Sequence, residues 1–204
     1  MSDTYCVLGS TSRTEIKVKG SRFIGEAIPV GSPREARDHL NEIKRREHSA
    51  THHCMAYRMG PEGAEFRFND DGEPSGTAGR PILRQIEAAD LTNTMVVVTR
   101  YYGGKRLGTG GLIRAYGNAA SDALSLATVQ TVVQRDTVRA TFAYNDTSPA
   151  MRVINKYDAE IRSTDYGEKT TIDLGVKSSQ IDDFLTAFEN ALGGRCVIDV
   201  TEED

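Results

Sequence analysis

Five glycines and two cations share the nine residues Gly103-Gly104-Lys105-Arg106-Leu107-Gly108-Thr109-Gly110-Gly111. A β-branched run, Val96-Val97-Val98, leads into Arg100-Tyr101-Tyr102 ahead of this loop, and the pattern after it predicts a helix opening at Leu112. A helix start leaves its first amides without partners and carries partial positive charge. Glycines let a ligand approach that backbone closely. Lys105, Arg106 and Arg114 place three more cations where the helix dipole disfavours them, and a bound anion relieves that conflict. The chemistry on offer is therefore phosphate binding by Gly103, Gly104, Lys105, Arg106, Gly108, Thr109, Gly110, Gly111 and Arg114. Arg100 and Tyr102 fall in phase with Val96 and Val98 at the strand end. There Tyr102 is either a stacking platform for a base, with Arg100 as phosphate partner, or a residue that closes the core with a wet hydroxyl. Neither GxxxxGK[ST] nor GxGxxG fits: Lys105 precedes the later glycines, and Ile113 stands where a third spaced glycine belongs.

A second glycine-rich stretch, Asp70-Asp71-Gly72-Glu73-Pro74-Ser75-Gly76-Thr77-Ala78-Gly79, leads to Arg80 and a helix predicted from about Pro81. Asp70, Asp71 and Glu73 could hold Mg²⁺ through a substrate phosphate, or could cap turns, for which Asp-Gly is itself a signal. Side by side, the two loops would join Arg80, Arg100, Lys105, Arg106 and Arg114 into one basic patch. Asp70, Asp71, Glu73, Ser75, Thr77, His52 and His53 would then form its polar rim. His48, His52 and Cys54 suggest zinc at first sight. However, Thr51–Met59 alternates like a strand, sending His52 and Cys54 to one face and His53, Met55 and Tyr57 to the other. No fourth ligand is evident, so no metal and no cofactor are expected. Nothing in the sequence orients a nucleophile against a base, and no catalytic residue is assigned.

These residues must be positioned by a chain of 204 residues, enough for one large or two small domains. Lys and Arg number 17 against 15 Asp and Glu through Thr128, and 8 against 14 thereafter, which suggests two units with different partners. Neither half is basic enough to be a general nucleic-acid binder on charge alone. Three cysteines, far apart, make neither a disulfide framework nor a CxxC pair. With no apolar run of membrane length and no secretory signal at Met1-Ser2-Asp3-Thr4, a cytoplasmic setting without membrane contact is expected.

The first unit, residues 1–130, reads as strands Glu15–Gly20 and Arg22–Val30, then a helix capped by Ser32 with Pro33 and Glu35 in its first turn. A hairpin over Thr51–Met59 and Glu65–Asn69 follows, then the two glycine loops with their helices. In the second unit, residues 134–204, strand Thr137–Tyr144 precedes a helix started by Ser148-Pro149. Strands Glu160–Tyr166 and Thr170–Val176 come next, then a helix capped by Ser178 or Ser179, then strand Arg195–Val200. The order βαββαβ is that of a ferredoxin-like sandwich.

Long, specific motifs are shared with a known family. They are Ser21-Arg22-Phe23-Ile24-Gly25, Ala50-Thr51-His52-His53-Cys54-Met55-Ala56-Tyr57-Arg58, Asn69 through Pro81, Arg100 through Gly104, and Leu107 through Leu112. In these the chain resembles the YigZ/Impact family over nearly its whole length. The resemblance implies an α+β protein of two domains. The first is a β/α sandwich like domain 2 of ribosomal protein S5 and domain IV of the translocase EF-G. The second is a DUF1949-type, ferredoxin-like domain similar to EF-G domain V. Eukaryotic members temper an amino-acid-starvation kinase by competing for its activator, largely through a further domain, so that role is not carried over. For bacterial members, fold analogy implies RNA or ribosome binding, and a catalytic activity is not among the things the resemblance implies. Three functions follow as expectations. One is a translation- or stress-related regulator that grips RNA, the ribosome or another phosphate-bearing partner through the glycine loops. Another is an enzyme acting on a small phosphorylated substrate with Mg²⁺ at Asp70, Asp71 and Glu73. The third is a regulator that binds a translation-related protein alone.

Overall fold

The protein is described here by a computed structural model covering residues 3–201. The described chain divides into two compact units, one over Tyr5–Val132 and one made of residues 133–201 with Asp3 and Thr4.

The first unit begins with β1 (Thr4–Leu8), β2 (Ser12–Val18) and β3 (Ser21–Pro29). Next come α1 (Pro33–Arg46), β4 (His52–Met59), β5 (Glu65–Asn69), α2 (Gly79–Ala88), β6 (Thr94–Tyr101), α3 (Thr109–Leu126) and β7 (Val129–Val133). Five strands form an antiparallel sheet in the order β2-β3-β6-β4-β5, and β1 pairs with β7 as a separate ribbon. Central β6 is covered on both sides. Val96 and Val98 pack with Phe23, Cys54, Ile82 and Tyr116 under α2 and α3. Met95 and Val97 pack with Ile28, Met55, Ala36 and Ile43 under α1. A strand buried on both faces needs the near-continuous apolar run that β6 carries. Helix α1 starts as expected: the Glu35 amide donates to Ser32 Oγ at 3.2 Å, and Glu35 Oε2 accepts from the Gly31 amide at 2.7 Å. The reciprocal bond thus reaches one residue beyond the cap itself.

In the second unit, β8 (Arg135–Phe142) and a short 3-10 turn lead into α4 (Thr147–Lys156). Strands β9 (Glu160–Tyr166) and β10 (Thr170–Lys177), helix α5 (Ile181–Leu192) and β11 (Cys196–Thr201) complete it. The sheet order β11-β8-β10-β9 with antiparallel neighbours is the ferredoxin-like arrangement. Val138, Phe142, Leu174, Phe184 and Phe188 fill the space between the sheet and its two helices. Gly193 ends α5 in the left-handed conformation, φ 59°. The expected Ser178 or Ser179 cap is corrected. A 3-10 turn over Ser178–Gln180 intervenes, and α5 starts after Gln180 without a side-chain cap.

Candidate functional site

Strand register brings the two glycine loops together. In the sheet, Arg100 of β6 lies opposite His52 of β4 on one side and Phe23 of β3 on the other. The loop after β6 leaves the sheet here, and the loop after β5 is tied to the same end by β4. His52 Nδ1 lies 2.8 Å from the Asp71 carbonyl oxygen, and Cys54 Sγ donates to the Asp70 carbonyl at 3.0 Å. On the other side, the Tyr102 amide donates to Thr51 Oγ1 and the Gly103 amide to Ser21 Oγ, both at 3.1 Å. Gly103 must be glycine for packing: a Cβ there would stand 2.0 Å from the Gly20 carbonyl. Between the loops opens a cleft of about 590 Å³. His52, Glu73, Arg100, Tyr102, Arg106 and Thr109 contribute its polar and aromatic walls, with Leu107 and Leu112 as apolar lining.

A buried ionic knot forms the cleft floor. Glu73 Oε1 accepts from both Arg100 Nη1 and, at 2.7 Å, the Tyr116 hydroxyl. Arg100 and Glu73 are 5% and 8% exposed, so the two groups are buried as a pair. Arg100 Nη2 reaches Ser21 Oγ at 3.4 Å, while its Nε is buried without a partner. Burial pushes the Tyr116 hydroxyl far up and the Cys54 thiol up to about 12, so neither ionises near neutrality. Tyr116 also packs edge-on against Phe23, ring centroids 5.2 Å apart. Because His52 Nδ1 faces a carbonyl, an acceptor, it carries the proton of the neutral ring. Nε2 is left as an acceptor, 3.8 Å from Glu73 Oε1.

Helix α3 opens onto this cleft. It begins at Thr109, not at Leu112 as expected, so Gly110 and Gly111 lie in its first turn rather than in the loop. Gly108 is the cap residue, at φ 72°, and no side chain caps the helix. The first bond inside the helix runs from the Leu112 amide to the Gly108 carbonyl, 2.9 Å, which leaves the amides of Thr109, Gly110 and Gly111 without a helical acceptor.

The other predicted site residues separate. Arg106 lines the cleft, whereas Lys105 and Arg114 are exposed beside it; none of the three has an acidic partner among the described residues. Arg80 is exposed with its guanidinium 5.1 Å from the Phe68 ring centroid. Tyr102 does not close the core: it is 48% exposed, with the Arg100 guanidinium 5.3 Å from its centroid. Arg100 is therefore committed to Glu73 rather than standing free in a basic patch.

The three acids of this loop have separate tasks. Asp70 accepts from the amides of Gly76, Ala78 and Gly79 at 2.8, 3.0 and 2.8 Å, and so caps α2, which starts at Gly79 rather than near Pro81. Asp71 accepts from Lys44 Nζ at 3.1 Å and from the His53 amide at 2.7 Å. Among the described residues no three His, Cys, Asp or Glu side chains are grouped to hold a metal ion. His53 points toward α1, its Nε2 3.2 Å from the Glu47 carbonyl, and burial pulls its pKa down. Thr77 is buried, donating to the Pro74 carbonyl, and Ser75 is exposed. Ser21, Thr51 and Tyr116 were not singled out as site residues from sequence. Their only signals were the shared motif around Ser21, the one around Thr51, and the apolar face of the last helix of the unit.

A β/α sandwich carrying this cleft, followed by a ferredoxin-like domain, defines a two-domain α+β protein. Residues 19–124 match the Impact N-terminal domain, and residues 141–195 match a domain of unknown function, DUF1949. The chain belongs to the IMPACT family. It is 35% identical to an IMPACT family member of Haemophilus influenzae (strain ATCC 51907 / DSM 11121 / KW20 / Rd) over 200 residues, 97% of each chain. To IMPACT family member YigZ of Escherichia coli (strain K12) it is 30% identical over 170 residues, 82% of this chain and 83% of the other. Similarity to Protein IMPACT of Homo sapiens is 32% identity over 118 residues, 48% of this chain and 36% of the human one. A crystal structure of a hypothetical protein superposes over the full length of both chains with a TM-score of 0.71 at 27% identity. Among the described residues no helix is long and apolar enough to cross a membrane.

Proposed function

We propose that this protein is a translation- or stress-related regulator whose first unit binds the phosphate backbone of single-stranded or ribosomal RNA in the cleft between its glycine loops. The observation that carries this reading is the start of α3. Its first turn carries three amides without helical acceptors, Gly108, Thr109 and Leu112 line the cleft beside unpaired Arg106, and the acid in the cleft wall, Glu73, is already committed to Arg100 and Tyr116. Such an arrangement favours an anion. Exposed Lys105 and Arg114 add long-range attraction along the approach. No observation favours the enzyme reading: Asp70 and Asp71 are engaged in holding the loop.

The test is binding of labelled single-stranded RNA at 50 and 200 mM salt (values on the order used to separate phosphate contacts). Affinity should fall steeply with salt, and replacing both Lys105 and Arg106 by Ala should weaken all sequences alike, since phosphate contacts carry no base information. Affinity unchanged by that replacement would remove the loop from the interface.

A further inference from the structure

Resting on that reading, we propose that the cleft takes a single ribonucleotide, with its phosphate on the first turn of α3 and Arg106, its base on the outer face of Tyr102 and a ribose hydroxyl on His52 Nε2. The size and composition of the cleft set the stoichiometry. At about 590 Å³ it is within the range of sites for one small molecule, and it holds one exposed aromatic ring and one helix start. The ring has the Arg100 guanidinium on one side, 5.3 Å from its centroid, and nearly half its surface open to solvent. An aromatic ring backed by a guanidinium is a stacking platform for any base. Arg100 itself is nine-tenths buried in the cleft wall and has an unpartnered Nε, so the wall holds a donor that no protein group satisfies.

His52 supplies the discrimination. Its Nδ1–H is held by the Asp71 carbonyl, so the neutral ring meets the cleft with an acceptor. A ribose 2′-hydroxyl is a donor and deoxyribose has none, so the site tells the two sugars apart. The ligand chemistry, a 5′-phosphorylated ribonucleotide, has two sources: a free nucleotide, or the terminal residue of an RNA strand.

Calorimetric titration of the full chain would use adenosine 5′-monophosphate, its 2′-deoxy counterpart, and a short single-stranded RNA with and without a 5′-phosphate. The ribonucleotide should bind about tenfold more tightly than the deoxynucleotide. His52→Asn keeps a donor for the Asp71 carbonyl but lacks the Nε2 acceptor, and should erase that difference. Tyr102→Ala should weaken binding about tenfold, with Tyr102→Phe close to the parent protein; circular dichroism would confirm that each variant is folded. Tighter binding of 5′-phosphorylated RNA than of the free nucleotide assigns the site to strand ends, and the reverse order assigns it to free nucleotide. Equal affinity for the ribo and deoxy forms, or indifference to Tyr102→Ala, overturns the proposal. RNA binding that no mononucleotide competes for overturns it while leaving the broader RNA reading in place, and absence of binding to every probe removes both.

Discussion

Glu73 joins three elements through one carboxyl oxygen: its own loop, β6 through Arg100, and α3 through Tyr116. A buried ion pair contributes little net stability against apolar replacements, but breaking one side leaves a charge buried without compensation. Glu73→Leu should therefore lower unfolding free energy by roughly 3 kcal/mol, and Arg100→Met by a similar amount. The double replacement should lose clearly less than the two together, as coupled neighbours do. Urea denaturation of the four proteins measures this, and additive losses would deny the coupling. Nothing near Glu73 in the sequence announces its partners, which stand 27 and 43 residues further on. In sequence it is one of three acids in a turn. Only the fold separates Asp70, a helix cap, and Asp71, a brace for β4, from the residue that faces the cleft. His52 was legible as a polar strand end, because strand alternation alone placed it with Cys54 and apart from His53.

Helix and strand positions were largely readable, because period-2 and 3.6 patterns and proline starts are local signals. The start of α3 was not. Gly110 and Gly111 have the composition of a loop, and tertiary packing of Leu112, Ala115 and Tyr116 overrides their poor helix propensity. The glycines also differ in what they are for. A Cβ on Gly25 of β3 would stand 2.2 Å from the Ala119 carbonyl oxygen of α3, so this glycine sets how closely helix and sheet approach. Gly108 has open space around it and only a positive φ to justify it. Gly25→Ala should cost about 3 kcal/mol as an overpacked core position. Gly108→Ala should cost about 1 kcal/mol as a strained cap. Thermal melts of the two variants compare them directly, and equal losses would contradict the distinction.

Across the whole molecule, titration should respond in two stages. His53 is buried and holds its proton less readily than an unfolded histidine. Its contribution is complete above an unfolded value near 6.5 and declines as pH drops through that region, because the unfolded chain takes up the proton first. In the ferredoxin-like unit, Asp173 beside Arg139 and Asp146 beside Arg195 are held below the ordinary 3.8, so their contribution is lost only in stronger acid. Melting temperature followed from pH 8 to about 3 should fall in these two steps. His53→Gln should flatten the first step, and an unaltered profile would dismiss the role given to His53. The charge split between the halves of the chain, 17 Lys and Arg against 15 Asp and Glu through Thr128 and 8 against 14 after it, accords with the proposal of an anion site in the first unit. The proposed function stands or falls on phosphate settling at the opening turn of α3. Titrating single-stranded RNA into isotopically labelled full chain while following backbone amides tests it most directly. Thr109, Gly110 and Gly111 should shift first and saturate together with the Arg106 side chain. Saturation of RNA binding with those three amides unmoved would contradict it.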